Sequence, residues 1–181
     1  MNIDDILVGS AFSVPQQCPD ERLLFLGGGY STVLYAPLPP CMGFRSLREA
    51  RLVLFKLPVG GTGGCGPRGR YFAYPLLDFT SVCGYAFAPP RIDYALKTEF
   101  CDDPQSAALE IDITRIANAW LNGCPENRGL LLTTHEDAPR LAFASDRFEI
   151  AGMRPMLRLV SDGIVFCQAL SAHECEVTVN G

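Results

Sequence analysis

Basic charge, histidine and tryptophan are scarce in this chain. Fifteen Lys and Arg stand against twenty Asp and Glu in 181 residues, a net charge of −5, and the pI is near 5.0. A chain of that balance lacks the basic face that nucleic acid requires, so nucleic acid is not an expected partner. No apolar run approaches the roughly eighteen residues needed to cross a bilayer, and no membrane span is expected. C-x-x-C spacing is absent, which argues against a zinc ribbon or a thioredoxin-type site. G-x-S-x-G is absent too, and with it the nucleophile elbow of the α/β hydrolases. The only histidines are His135 and His173. His135-Glu-Asp137 and His173-Glu-Cys175 are each an incomplete ligand set for a metal, so no metal or other cofactor and no catalytic residue is expected. The opening residues, Met1-Asn-Ile-Asp-Asp-Ile-Leu-Val-Gly9, hold two acids, no base and a brief apolar patch, unlike a secretory signal peptide.

What is present is a folded chain. Hydrophobic residues make up 48% and charged residues 19%, and the length fits one domain. The organising stretch is Ala107 to Val160. Leu109, Ile111 and Ile113 alternate with Glu110 and Asp112 as a strand does. The period then lengthens, and Ile113, Ile116, Ala117, Trp120 and Leu121 fall on one face of a short helix over about 114–122. Asp112 or Thr114 is placed to cap that helix and Gly123 to end it. So short a helix needs a sheet beneath it. Ile116, Trp120 and Leu121 are therefore read as a structural lid.

Strand-like runs surround this unit. They are Ile6 to Val14, a hairpin of Arg22–Leu26 and Thr32–Ala36 around Gly27-Gly-Gly-Tyr30, Ala50 to Leu57, Tyr71 to Tyr74, Val82 to Phe87, Ile92 to Thr98, Gly129 to Thr134, Arg140 to Phe143 and Pro155 to Val160. Many short strands with Gly/Pro punctuation and one helix predict an all-β fold, a two-sheet jelly-roll sandwich over residues 1–160. Residues 161–181 form a strand-like extension, with Ile164–Ala169 and Cys175–Val179 as its strands. In the loop 60–69, Gly61, Gly63 and Gly66 spell G-x-G-x-x-G, but an aromatic strand follows where a phosphate-binding helix is needed. That loop reads as a hairpin tip.

Eight cysteines are spread along the chain. Cys18, Cys41, Cys65, Cys101 and Cys124 sit beside Pro, Gly or Asp in loops, and Cys175 lies in the tail. Cys83 and Cys167 fall inside apolar strand-like runs, where buried thiols are common; Cys167 also belongs to the tail. Cys18, Cys41, Cys65, Cys101, Cys124, Cys167 and Cys175 are candidates for disulfides or cross-links between chains, and plain reduced thiols are equally compatible. An even count of eight allows about 105 full pairings.

Three pieces of the organising stretch resemble the DNRLRE-type domain, a jelly-roll sandwich related in fold to the propeptide of the TGF-β growth factors. They are Leu109-Glu-Ile-Asp-Ile-Thr with Ala119-Trp-Leu-Asn-Gly123, Asn127-Arg-Gly-Leu-Leu-Leu132, and Phe143-Ala-Ser-Asp-Arg-Phe-Glu149 before Pro155-Met-Leu-Arg-Leu159. Ser46 to Phe55 looks like an earlier strand of the same family. The resemblance covers about 110 residues. The cysteines, the glycine loop and the tail depart from it. It implies a secreted or surface-attached protein without catalytic residues, some relatives being classed as carbohydrate-binding modules.

Two functions are expected from these readings. One is a non-enzymatic structural subunit that assembles with copies of itself, by edge-strand pairing and disulfides, into an appendage, filament or spore-coat layer. Its expected place is outside the cell, on a cell or spore surface, although the amino terminus shows no signal peptide and a cytoplasmic location stays open. The alternative is a carbohydrate-binding module that stacks a glycan on Tyr71, Tyr74 and Tyr85, with Tyr30 and Tyr94 as further ring candidates.

Overall fold

The computed structural model describes residues 2–15, 21–38, 46–58, 69–135 and 138–161. In β5 (Glu49–Phe55) Ala50, Leu52 and Leu54 enter the core with the period of two that the sequence carries, while Val53 is buried on the opposite face beside Arg51. β5 pairs with β8 (Ala108–Asp112) and with β11 (Met156–Ser161), and β11 pairs in turn with β1 (Asn2–Leu7). The result is a four-stranded sheet in the order β1-β11-β5-β8. A five-stranded sheet joins β2 (Ser10–Val14), β4 (Ser31–Tyr35), β9 (Leu130–Thr133), β6 (Arg70–Pro75) and β7 (Thr98–Cys101) in the order β2-β4-β9-β6-β7. A short third ladder pairs β3 (Leu23–Leu26) with β10 (Leu141–Ala144). Every pairing is antiparallel.

With β2, β3 and β10 set aside, the strands are divided between the two large sheets as a jelly roll requires, alternating along the chain except at the consecutive pair β6–β7. β1, β5, β8 and β11 lie in one, and β4, β6, β7 and β9 in the other. One core joins them. Leu52, Leu54, Leu109, Ile111, Leu157 and Leu159 meet Leu34, Tyr71, Ala73, Leu130 and Leu132, and Phe143 of the third ladder completes the packing. The protein is an all-β jelly-roll sandwich.

The outer face of the four-stranded sheet is charged. Asp5, Arg158, Arg51 and Asp112 stand side by side across its four strands. Arg158 grips Asp5 at 2.9 and 3.3 Å, and Arg51 bonds Glu110 at 3.1 Å and Glu49 beside it. The outer face of the five-stranded sheet is apolar instead. Val33, Leu76 and Leu131 are buried there, with Phe12, Tyr85 and Ile92 packed against them.

α2 (Thr114–Leu121) lies where the change of period places it, with Ile116, Ala117 and Trp120 buried. Its entry differs in detail. Ile113 holds the cap position, and Asp112 Oδ1 accepts instead from the Thr114 amide (2.9 Å) and hydroxyl (2.6 Å). Gly123 ends the helix at φ +72°, in the left-handed region.

Several local expectations are corrected. The run Ile6–Val14 is two strands, because the chain changes sheets at Val8-Gly9. The Val8 amide donates to Pro155 O in one sheet and the Gly9 amide to Tyr35 O in the other. The turn at Gly27–Tyr30 forms, but its arms belong to different ladders, β3 with β10 and β4 with β2 and β9. Val82–Phe87 is a helix, α1, rather than an aromatic strand. Ser81 Oγ caps it by accepting from the Gly84 amide at 3.1 Å, and Tyr85 packs on the apolar outer face of the sheet. One helix was expected and a second is therefore present. Ile92 makes a single bridge to Leu76, after which Asp93 Oδ1 accepts from the Ala95 amide and turns the chain, so no strand runs from Ile92 to Thr98. The extension 162–181 and most of the glycine loop lie outside the described residues. No helix among the described residues is long and apolar enough to cross a membrane.

Candidate functional site

The motifs behind the family resemblance turn out to do structural work. Thr114 Oγ1 accepts from the Ala50 amide at 2.9 Å, tying the start of α2 to β5. Asn127 Nδ2 donates to Ala36 O at 2.8 Å while its Oδ1 accepts from the Gly129 amide. Gly129 has φ +102°, and a Cβ there would lie 2.5 Å from Leu34 O, so only glycine fits this approach to β4. Ser145 Oγ donates to Glu21 O at 2.7 Å and accepts from the Arg147 amide at 3.0 Å. Each conspicuous side chain satisfies a backbone group that the turns of the sandwich would otherwise leave unpaired.

The lid residues separate by depth. Ile116 is inaccessible and Trp120 nearly so, whereas Leu121 is half-buried at the margin of the core. Trp120 Nε1 has no hydrogen-bond partner among the described residues. Sequence reasoning missed the residue that fastens this helix, Asn118. Its Oδ1 accepts from the Leu47 amide at 2.7 Å and its Nδ2 donates to Leu47 O at 3.0 Å. A clamp across seventy-one positions leaves no periodic signal.

The cysteines divide differently from expectation. Cys18, Cys41, Cys65, Cys167 and Cys175 lie outside the described residues. Cys101 and Cys124, both disulfide candidates, are exposed free thiols, and no disulfide joins described residues. Cys83, expected within a buried strand, is exposed on α1, because the strand it was assigned to is a helix lying on the sheet surface.

The tyrosines do not make one stacking platform. Tyr71 and Tyr74 lie three residues apart on β6 and so face opposite sides of the sheet. Tyr71 is inaccessible, stacks on Phe100 with centroids 5.7 Å apart and donates to Pro139 O at 2.8 Å. Burial, with lesser contributions from Asp102 and Cys101, pushes its hydroxyl up to about 12. Tyr74 is also buried, on the outer side, where its hydroxyl meets His135 Nε2 at 2.7 Å. Tyr85 is half-buried against Val33, Leu76 and Leu131. Among the described residues the exposed aromatics are Tyr94, 69% accessible and set edge-on to Tyr74, and Phe79, 62% accessible beneath the Arg128 guanidinium.

Polar groups cluster at the ends of the sheets. Arg91 holds the Asp78 carboxyl down at about 2 through a two-pronged ion pair at 2.7 and 2.8 Å. Lys56 meets Asp102 Oδ1 at 2.5 Å and Asp103 O at the same distance. Asp146 borders a cavity of about 150 Å³ between β2, α1 and Glu21. Burial raises its pKa, partly offset by amide donors that include Ala11 N on the rim of β2. No group of three or more metal-ligating side chains occurs among the described residues.

The sheet edges complete the surface. β1 and β8 border one sheet, β2 and β7 the other. At β2, α1 lies against the outer face of this edge strand and the Asp146 carboxyl is turned to the Ala11 amide. At β8, Ser106 Oγ donates to Ala108 O (2.6 Å) and accepts from Ala108 N (3.3 Å). β1 carries two consecutive acids, Asp4 and Asp5. Along β7, no described residue bonds to the outward row of backbone groups, and Glu99 and Cys101 are exposed. A scan of family models and a search of curated proteins return no match to this chain, so its functional reading rests on these edges, thiols and aromatic surfaces.

Proposed function

We propose that the protein is a non-catalytic structural subunit whose jelly-roll domain associates with copies of itself through its sheet edges, with disulfides between copies as a secondary lock. The observation that carries this reading is the outer edge of β7, a row of strand backbone to which no described residue bonds and which ends in the exposed thiol of Cys101. The exposed, unpaired thiols of Cys83 and Cys124 support it, since surface thiols are accessible to another chain. The motifs that resemble the DNRLRE-type domain also support it, because their side chains are spent on holding the sandwich together. A surface appendage, filament or coat layer is the setting in which such a subunit serves. Negative-stain images and non-reducing gels of the purified chain test it. Ordered oligomers, with bands that collapse on reduction, are expected. A monodisperse monomer under oxidising and reducing conditions overturns it.

One observation favours carbohydrate binding as a second reading. Tyr94 presents a ring that is 69% accessible, backed by Tyr74 and His135, and a flat exposed ring is what a pyranose face stacks on. This shifts the stacking candidate from Tyr71, Tyr74 and Tyr85 to Tyr94. Binding on a glycan array that Tyr94→Ala removes, in a protein that remains monomeric, would establish this reading over the first.

A further inference from the structure

We infer that the edge of β7 is a self-complementary interface at which two copies join across a twofold axis, Thr98 opposite Thr98, so that their five-stranded sheets become one continuous sheet. The inference rests on the association reading above and names its surface and register.

Lys97, the residue that leads into β7, alternates with Glu99 and Cys101 and lies with them on the outer face of the sheet. Glu99 lies opposite Phe72 in the β6–β7 register, and Lys97 Nζ sits 5.6 Å above that same Phe72 ring. Thr98 and Phe100 occupy the other face, Phe100 stacking on the inaccessible Tyr71. Running a second β7 antiparallel with Thr98 at the centre brings Lys97 of each copy opposite Glu99 of the other. Two cross-strand ion pairs form, related by the axis. Shifting the centre to Glu99 puts the two carboxylates face to face, which is unfavourable. Charge therefore selects the Thr98 register.

The other three edges do not offer this. On β1 the Asp5 carboxylate is already held by Arg158 of the neighbouring strand. β2 has the Asp146 carboxyl turned to its Ala11 amide, and β8 has its Ala108 groups occupied by Ser106 and exposes Glu110 and Asp112. On β7, Lys97 has no ion-pair partner among the described residues, and Glu99 has only Arg70, at 3.5 Å.

In this register the Cys101 thiols sit three residues to either side of the axis, roughly 20 Å apart at the usual rise per residue. They cannot bridge each other, so the interface forms under reducing conditions.

The test uses the full chain, with the charge variants measured in reductant. Lys97→Glu and Glu99→Lys should each weaken dimerisation roughly tenfold by turning both symmetric pairs repulsive, and the double exchange should restore it. Thr98→Cys, oxidised with glutathione disulfide, should yield a peptide linking position 98 to position 98 of the second copy by mass spectrometry. Rescue by the double exchange together with that linkage supports the inference. Oligomers indifferent to the exchanges and lacking the linkage overturn this edge while leaving self-association standing. A monomer at every concentration overturns both.

Discussion

Asn118 satisfies both backbone polar groups of Leu47, accepting from its amide at 2.7 Å and donating to its carbonyl at 3.0 Å. The side chain does for Leu47 what a neighbouring strand would do, and it fixes α2 over the start of β5. Asn118→Ala removes two bonds of about 1 kcal/mol each. A fall in Tm of roughly 4–8 °C is expected for a domain of this size, measured by calorimetry. Asn118→Asp should be at least as harmful, because a carboxylate cannot donate to Leu47 O.

Trp120 is the largest side chain on the face that α2 buries. Trp120→Ala should cost about 3–5 kcal/mol, a large share of the stability of an ordinary domain. Leu121→Ala, at the margin, should cost distinctly less. Chemical denaturation of the two variants checks the order. Equal losses would mean that the lid is not anchored through Trp120.

Asp146 tests how the rim of β2 responds to pH. Burial raises its folded pKa, so the native state binds the proton more tightly than the unfolded chain does. Its contribution is complete below the unfolded pKa and declines as pH rises through the folded one. Asp146→Asn keeps an acceptor for Ala11 N without the buried charge. The variant should match the native protein in acid and exceed it in stability near neutrality, by thermal melts across that range. A constant deficit at every pH would refute this.

Tyr71 gives the opposite end of the pH scale. Its folded pKa of about 12 exceeds the ordinary 10, so its stabilisation is present below pH 10 and is lost between 10 and 12. Tyr71→Phe leaves Pro139 O without its donor and should cost about 1 kcal/mol at neutral pH. The variant should also lose less stability than the native protein over that alkaline interval. Parallel denaturation curves at pH 7, 10 and 12 decide it.

Local periodicity carried much of the fold. Leu109, Ile111 and Ile113 followed by Ile116 and Trp120 announce β8 and α2 because each element buries one face over consecutive residues. α1 was hidden, since Val82-Cys-Gly-Tyr-Ala-Phe87 has the composition of a strand and a glycine inside. The Ser81 cap and the packing of Tyr85 on Val33, Leu76 and Leu131 favour the helix. The break at Val8-Gly9 depends on two amides bonding to different sheets, and no pattern in Ile6–Val14 records that. The tyrosines are a different case. A spacing of three between Tyr71 and Tyr74 already places them on opposite faces of a strand, so their separation was legible in the sequence. The complementarity of Lys97 and Glu99 has meaning only once β7 is known to be an edge.

Sedimentation velocity of the full chain in reductant, over a wide range of concentration, bears most directly on the association of sheet edges. A sedimentation coefficient that climbs from monomer to dimer as concentration rises, and that Lys97→Glu holds back, is the predicted result. A single monomer boundary at every concentration would contradict it.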